Sequence, residues 1–216
     1  MKRYIGAACL VLLLLVLLSA CRPSDSIFRE LILDGTHTHY KNLKEGMTVE
    51  EVLKAEGLTR DDVESQEYEN TRGYSITVLR TKEETVYAET VGFGLYKLYY
   101  FRDGALLQMS YEKSFPSAQF DEAIVKVREF MVRFVEDSGA KAAETAEEFE
   151  YYAYGELPTQ ADEKTYYQVQ VLCGGMLTAL DIYTQDLTMR EDIGDWLLTV
   201  AVGISFDRYG YDGRGS

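Results

Sequence analysis

The sequence feature that most constrains the fold of this chain is a turn dipeptide between two segments in which polar and apolar residues alternate. Asp103-Gly104 separates residues 95–102 from residues 105–112, and both segments alternate in hydrophobicity. Asp-Gly in that setting is typical of a two-residue type I′ hairpin. The sequence therefore predicts an antiparallel sheet that has one face buried.

The hairpin register predicts which face is buried. A two-residue loop pairs Arg102 with Ala105. Regular pairing beyond this point would place most apolar residues of the two strands on the same face of the sheet. We expect this face to pack against helices, together with a similar face in later strands: Tyr96, Leu98, Tyr100, Leu107, Met109 and Tyr111, then Val169, Val171 and Leu180.

The opposite face is the predicted interaction surface. It would carry Tyr99, Phe101 and Leu106 in the first half, and Tyr166, Leu172, Leu177 and Tyr183 in the second. Exposed aromatic clusters are enriched at protein interfaces because each ring buries a large area at little rotamer cost. In the alternative arrangement, the two halves pack these faces on each other.

Two helices are predicted from local signals. Thr48 and Glu51 form a capping box, and Gly57 suits the left-handed position after the last turn. Ser117 opens a second helix whose apolar stripe begins at Phe120, and Gly139 is expected to end it.

The mature chain divides into two similar halves, residues 43–115 and 116–207, followed by a polar tail, 208–216. The turns Asp103-Gly104 and Gly174-Gly175 lie 71 residues apart, and at this offset apolar strand positions and helix starts coincide. The predicted fold class is α+β, as two tandem modules of a helix on an antiparallel sheet. Whether the halves share ancestry stays open.

The N-terminus has the form of an export signal. Lys2 and Arg3 precede an uncharged apolar run, residues 7–18, which is too short for a comfortable membrane span and typical of a signal peptide. Leu18-Ser19-Ala20-Cys21 resembles the bacterial lipobox. That resemblance implies cleavage after residue 20 and a diacylglycerol, with acyl chains such as palmitate, joined to the Cys21 thiol as a thioether. Residues 21–42 would form the lipidated N-terminus and a short tether. The protein would then be anchored on the outward face of the cell membrane.

The globular part also resembles a known group of proteins. Gly46-Met47-Thr48, Val52 and Gly57 resemble the helix-opening motif of the SmpA/OmlA family of small outer-membrane lipoproteins and of β-lactamase-inhibitor-like repeat modules. Residues 98–106 resemble their terminal hairpin, and the likeness covers about residues 43–112. It implies an α+β fold that acts by binding other proteins. Leu58 stands where these families usually have proline, and the second half lacks a Gly-Met-Thr motif.

Charge and motif content exclude several functions. The formal charge is −14, and removing Lys2 and Arg3 leaves 20 basic against 36 acidic residues, or −16. Such a body repels phosphate backbones, so no nucleic acid is expected as a partner. No hydrolase elbow, phosphate loop or zinc-protease motif is present in the sequence.

Few residues are available for other chemistry. Cys173 is the only thiol outside the leader and Cys21, so no intramolecular disulfide is expected. Asp34, His37 and His39 could donate three metal ligands from one loop. An exposed polar loop without a metal is the favoured interpretation.

These observations favour a non-enzymatic interaction module at the cell envelope. Its expected partners are the membrane, through the lipid anchor, and another envelope or extracellular protein. No cofactor is expected. The alternative is a ligand- or metal-binding envelope lipoprotein, or a hydrolase without a familiar motif.

Overall fold

A computed structural model describes residues 39–40, 42–87, 90, 92–145, 149–173 and 176–205. The predicted signal peptide, Cys21, most of the tether and the tail lie outside these residues, as do Asp34 and His37. Only the backbone of His39 is described. The predictions of lipidation and of a metal loop therefore stay predictions.

The described chain contains two helices and eleven strands. Helix α1 is Val49–Glu56 and helix α2 is Phe120–Thr145. The strands are β1 (His39–Tyr40), β2 (Leu43–Lys44), β3 (Val63–Glu69), β4 (Ser75–Thr81), β5 (Thr85–Val86), β6 (Gly94–Arg102), β7 (Ala105–Pro116), β8 (Phe149–Gly155), β9 (Tyr166–Cys173), β10 (Met176–Asp186) and β11 (Trp196–Ser205).

One antiparallel sheet dominates the fold. Its strand order is β3-β4-β6-β7-β11-β10-β9-β8, with β5 paired to β6, and β1 and β2 form a separate two-stranded ribbon. The final strands of the two halves, β7 and β11, lie side by side at the centre and pair from Leu197 opposite Pro116 to Ser205 opposite Gln108. The architecture is mixed α+β.

Both helices pack against the sheet. Helix α1 contacts β7, and α2 contacts β7, β10 and β11. The buried side chains form one continuous hydrophobic cluster that runs through both halves of the sheet. In the second half, Val169, Val171 and Leu180 are all fully buried, as predicted.

The caps of α1 agree with the sequence prediction. The Glu51 backbone N–H donates to the Thr48 hydroxyl at 3.3 Å, and the Thr48 N–H donates to the Glu51 carboxylate at 2.8 Å. Gly57 takes φ 69°, and the Leu58 N–H donates to the Leu53 carbonyl at 2.8 Å.

Helix α2 is longer than predicted. It continues through Gly139 to Thr145. A glycine inside a helix costs only about 1 kcal/mol, and the alanine-rich run that follows favours helix strongly enough to continue it. The prediction that Gly139 ends the helix was wrong.

The first hairpin also departs from prediction. The turn agrees, with φ 51° at Asp103 and 80° at Gly104 and with Arg102 opposite Ala105. Phe101 then lies opposite Leu106 but Tyr100 lies opposite Gln108, so Leu107 forms a β-bulge. Because one extra residue inverts the alternation beyond it, Met109 and Tyr111 join the face that carries Phe101 and Leu106.

This inversion corrects the predicted interaction surface. Tyr99, Phe101 and Leu106 are 0%, 0% and 1% exposed, so they belong to the core and not to the outer face. Leu98 and Tyr100, which were predicted to face the helices, lie on the opposite face. Met109 and Tyr111 are buried on the core side, as predicted.

The 71-residue repeat does not equate corresponding strands. The hairpin at Asp103-Gly104 joins β6 and β7, the inner strands of the first half. The strands on either side of the predicted turn at residues 174–175 are β9 and β10, the middle strands of the second half. Counted from the centre of the sheet outward, β7 corresponds to β11 and β6 to β10.

Candidate functional site

A groove lies on the face of the main sheet opposite the helices, which we call the open face. The central groove has a volume of about 580 Å³ and crosses the junction of the two halves. It is lined by Tyr100, Gln108, Ser110 and Glu112 from the first half. The second half supplies Tyr166, Leu177, Ala179, Asp181, Tyr183, Ala201, Gly203 and Ser205.

Strand register places these residues in rows, because directly opposed residues share a face. One row runs from Glu112 on β7 through Ala201 on β11 to Asp181 on β10. The next row runs from Ser110 through Gly203 to Ala179. Small residues thus form the floor where the central strands meet, and larger side chains stand around it.

Gly203 is needed for close packing of β11 on β7. A Cβ at this position would lie 2.6 Å from the Met109 carbonyl oxygen and 2.8 Å from the Ser110 Cβ. Both distances are too short for a carbon atom, so any larger residue would move the strands apart.

Glu112 is a carboxylate of the central groove whose pKa is shifted by its surroundings. Burial raises the pKa of Glu112 above its usual range, and the Asp181 carboxylate acts in the same direction. The Arg80 guanidinium and the Tyr100 hydroxyl oppose this rise. Arg80 itself donates to Glu64 at 3.2 Å and stacks 3.4 Å over the ring of Tyr96.

Asp181 is positioned by its neighbours on β9. The Tyr166 hydroxyl donates to Asp181 Oδ1 at 2.6 Å, and Gln168 Nε2 donates to the same atom at 2.7 Å. Gln170 Nε2 in turn donates to Gln168 Oε1 at 2.6 Å. This chain of hydrogen bonds orients the carboxylate on the open face.

Two hydroxyls complete the polar lining. Burial raises the pKa of Tyr100, and the nearby Glu112 carboxylate adds to the rise, so the phenol stays protonated. The Ser110 side chain is 3% exposed, and its hydroxyl has no hydrogen-bond partner among the described residues. It lies near enough to the Tyr100 hydroxyl to affect the pKa of that phenol, but the two do not reach hydrogen-bond geometry.

The sequence prediction located part of this site. Tyr166, Leu177 and Tyr183 line the central groove, whereas Tyr99, Phe101 and Leu106 lie on the other side of the sheet. Leu172 lies in β9 opposite Leu177, but its side chain is outside the described part.

Sequence reasoning missed Tyr100, Ser110, Glu112 and Asp181. One signal was present: Asp181 interrupts an apolar strand between Leu180 and Ile182, at a position that faces away from the core.

The described residues contain neither a cluster of metal ligands nor a helix suited to a membrane span. No group of three or more His, Cys, Asp and Glu side chains is placed to hold a metal ion there. None of the described helices is both long and apolar enough to cross a membrane.

Comparison with known proteins gives no match: no protein-family model, curated protein or solved structure matches this chain. The central groove and the N-terminal sequence are therefore the features that bear on function.

Proposed function

We propose that this protein is a non-enzymatic bacterial envelope lipoprotein, anchored through Cys21, that binds another envelope or extracellular protein with its open face. The observation that carries the proposal is the central groove, which combines tyrosines and carboxylates across the junction of the two halves. Its polar groups come from five strands, β6, β7, β9, β10 and β11, so neither half of the sheet assembles them alone.

A two-module organisation is part of this proposal. The strand path is symmetric about the β7–β11 junction, with four strands on each side and a helix preceding each set. Two such modules joined through their last strands would form a binding face wider than either could provide alone.

Exposed tyrosines extend the candidate surface beyond the central groove. Tyr68 on β3, Tyr152 and Tyr154 on β8, and Tyr166 on β9 are each 43–49% exposed. Strand register places all four on the open face. Tyrosine is enriched at binding surfaces because it offers a large apolar area with a polar tip.

The chemistry of the groove favours binding over catalysis. Asp181 is engaged by two side-chain donors, and the phenol of Tyr100 is held in its protonated form by its raised pKa. The buried serine of the groove, Ser110, is not hydrogen-bonded to any base in the described part of the chain that could activate its hydroxyl as a nucleophile.

A second candidate is a small-molecule-binding lipoprotein. The volume of about 580 Å³ is within the range of roughly 300–1,000 Å³ that is common for ligand pockets. The same experiment separates the two candidates.

Site-specific photocrosslinking in intact cells tests the proposal. A photoreactive amino acid at Gln108, inside the groove, should capture a discrete protein, whereas the same amino acid at Val125 should not. Val125 is 63% exposed on α2 and faces away from the sheet. Ala201→Trp fills the groove floor and should abolish capture from Gln108.

Three outcomes would contradict the proposal or its parts. Capture that Ala201→Trp does not reduce would show that the groove is not the interface. Absence of any groove-dependent protein adduct, with a small molecule retained after purification, would favour the second candidate. Wild-type protein that incorporates no labelled lipid, or a Cys21→Ser variant that is still labelled, would refute the anchor.

A further inference from the structure

We propose that the central groove takes a basic side chain of the partner protein, with the ammonium of a lysine or the guanidinium of an arginine held between Glu112 and Asp181. This inference rests on the proposed function and names the chemistry by which the partner is recognised.

Charge complementarity is the first support. The described residues that line the groove include two carboxylates, Glu112 and Asp181, and no basic side chain. The whole chain carries a formal charge of −14, so its long-range field attracts a basic segment and repels an acidic one.

Geometry supplies the second support. Glu112 and Asp181 stand in one row on either side of Ala201, two strand spacings apart, so their Cα atoms are separated by roughly 10 Å. A cation above the Ala201 methyl can therefore approach both carboxylates. The aliphatic stem of a lysine or arginine would lie over the small residues of the floor.

The unpartnered Ser110 hydroxyl is the third and independent support. It is buried, lines the groove, and lies two residues from Glu112 on β7. A buried hydroxyl without a partner is costly, and an N–H donor entering the groove would satisfy it. The presence of the two carboxylates does not account for a buried serine hydroxyl without a hydrogen-bond partner among the described residues, so this observation is separate from the charge argument.

Aromatic rings complete the recognition. Tyr100, Tyr166 and Tyr183 also line the groove. Tyrosine faces attract ammonium and guanidinium groups, and they do so more strongly when the cation is partly desolvated. Arg80, whose charge acts on Glu112, is already engaged with Glu64 and with the ring of Tyr96.

Binding of short capped peptides tests the inference directly. The probes are acetyl-Gly-Gly-Lys-Gly-Gly-amide, its arginine counterpart and its norleucine counterpart, which keeps the aliphatic stem but has no charge. The protein is the chain without its first 21 residues. NMR titration should show that the lysine and arginine peptides bind at the groove and that the norleucine peptide does not.

Matched variants link binding to the two carboxylates. Glu112→Gln and Asp181→Asn should each weaken the lysine peptide about tenfold, as expected for loss of a charge-assisted hydrogen bond. Ser110→Ala should weaken it by a smaller factor. Glu67→Gln removes an exposed carboxylate from β3, outside the groove, and should leave the affinity unchanged.

Each remaining outcome overturns the inference. Equal binding of the norleucine peptide would mean that charge is not recognised. An equal loss in Glu67→Gln would mean that only net charge matters. If n-butylammonium binds as tightly as the lysine peptide, the site takes free amines and not a side chain of a partner.

The inference and the proposed function can fail separately. If no peptide binds but groove-dependent crosslinking from Gln108 persists, the protein interface stands and its cationic recognition fails. If the lysine peptide binds but no protein is captured in cells, the cation site stands and the interaction function fails.

Discussion

The Tyr99 hydroxyl donates a hydrogen bond of 2.9 Å to the carboxylate of Glu56, the last residue of helix α1. The Lys97 ammonium contacts the same carboxylate oxygen. Both donors lie on the core side of β6, and the acceptor side chain is only 11% exposed. This cluster ties the first helix to the sheet and accounts for a tyrosine that is fully buried on that side.

Tyr99→Phe should therefore destabilise the protein by about 1–2 kcal/mol, because it removes a donor to a partly buried charged group. The free energy of urea unfolding measures the effect. Tyr68→Phe is the control, since Tyr68 is 49% exposed on the open face. Equal stability of Tyr99→Phe and wild type would show that Lys97 alone satisfies Glu56.

The burial of Tyr99 and Phe101 also predicts the effect of removing both side chains. Tyr99→Ala with Phe101→Ala should unfold the protein, because truncating each buried aromatic costs roughly 3–5 kcal/mol. A folded double variant that merely loses partner binding would place these residues on the surface after all.

Local signals in the sequence predicted much of the first half. The β-bulge at Leu107 could not be predicted, and it made the face assignment of β6 wrong. The caps of α1 and the Asp103-Gly104 turn depend on residues close in sequence, so they could be predicted. The bulge at Leu107 places Met109 and Tyr111 in the hydrophobic core. The residues next to Leu107 in the sequence contain no signal that predicts a bulge. The extra residue exchanged core and surface along β6 and at Leu106. Met109 and Tyr111, beyond the bulge, lie in the core as predicted.

Helix α1 should depend on both of its caps. Thr48→Ala removes the hydroxyl that accepts from Glu51 and should cost about 1 kcal/mol. Gly57→Val should cost more, because a β-branched residue resists a φ of 69°. Urea unfolding of both variants checks the order of the two effects. If Gly57→Val unfolds like wild type, the left-handed turn does not contribute to stability.

The packing of β11 against β7 should be sensitive to a single methyl group. Gly203→Ala places a Cβ within 3 Å of Met109 and Ser110, so we expect a loss of about 1–3 kcal/mol from strain. Val125→Ala, at a position on α2 that is 63% exposed, is the control. Thermal unfolding that is unchanged in Gly203→Ala would show that the two halves can separate slightly without cost.

The central groove was only partly predictable for a related reason. Tyr166, Leu177 and Tyr183 follow from regular alternation in β9 and β10. Tyr100, Ser110 and Glu112 reach the open face through the bulged hairpin and through the pairing of β7 with β11. That pairing joins positions about ninety residues apart, and nothing local in the sequence specifies it.

Glu112 should make stability depend on pH in a defined direction. Burial raises its pKa above the ordinary 4.5, so the folded state binds this proton more tightly than the unfolded state. Ionisation of Glu112 in the folded state lowers the free energy of unfolding. This loss of stability is absent below the ordinary pKa, grows as the pH rises, and is complete above the raised pKa. Arg80 from β4, Tyr100 from β6 and Asp181 from β10 act on this carboxylate.

Glu112→Gln should consequently gain stability relative to wild type between pH 4 and pH 7, with little difference at the lower pH. Urea unfolding of both proteins across this range measures the gain, and Glu67→Gln, which lacks burial, should not show it. If Glu112→Gln is instead destabilised most at neutral pH, attraction to Arg80 outweighs desolvation, and Glu112 acts as a structural ion-pair partner. A gain would mean that the fold keeps a destabilising carboxylate in the groove, as expected where charge serves binding.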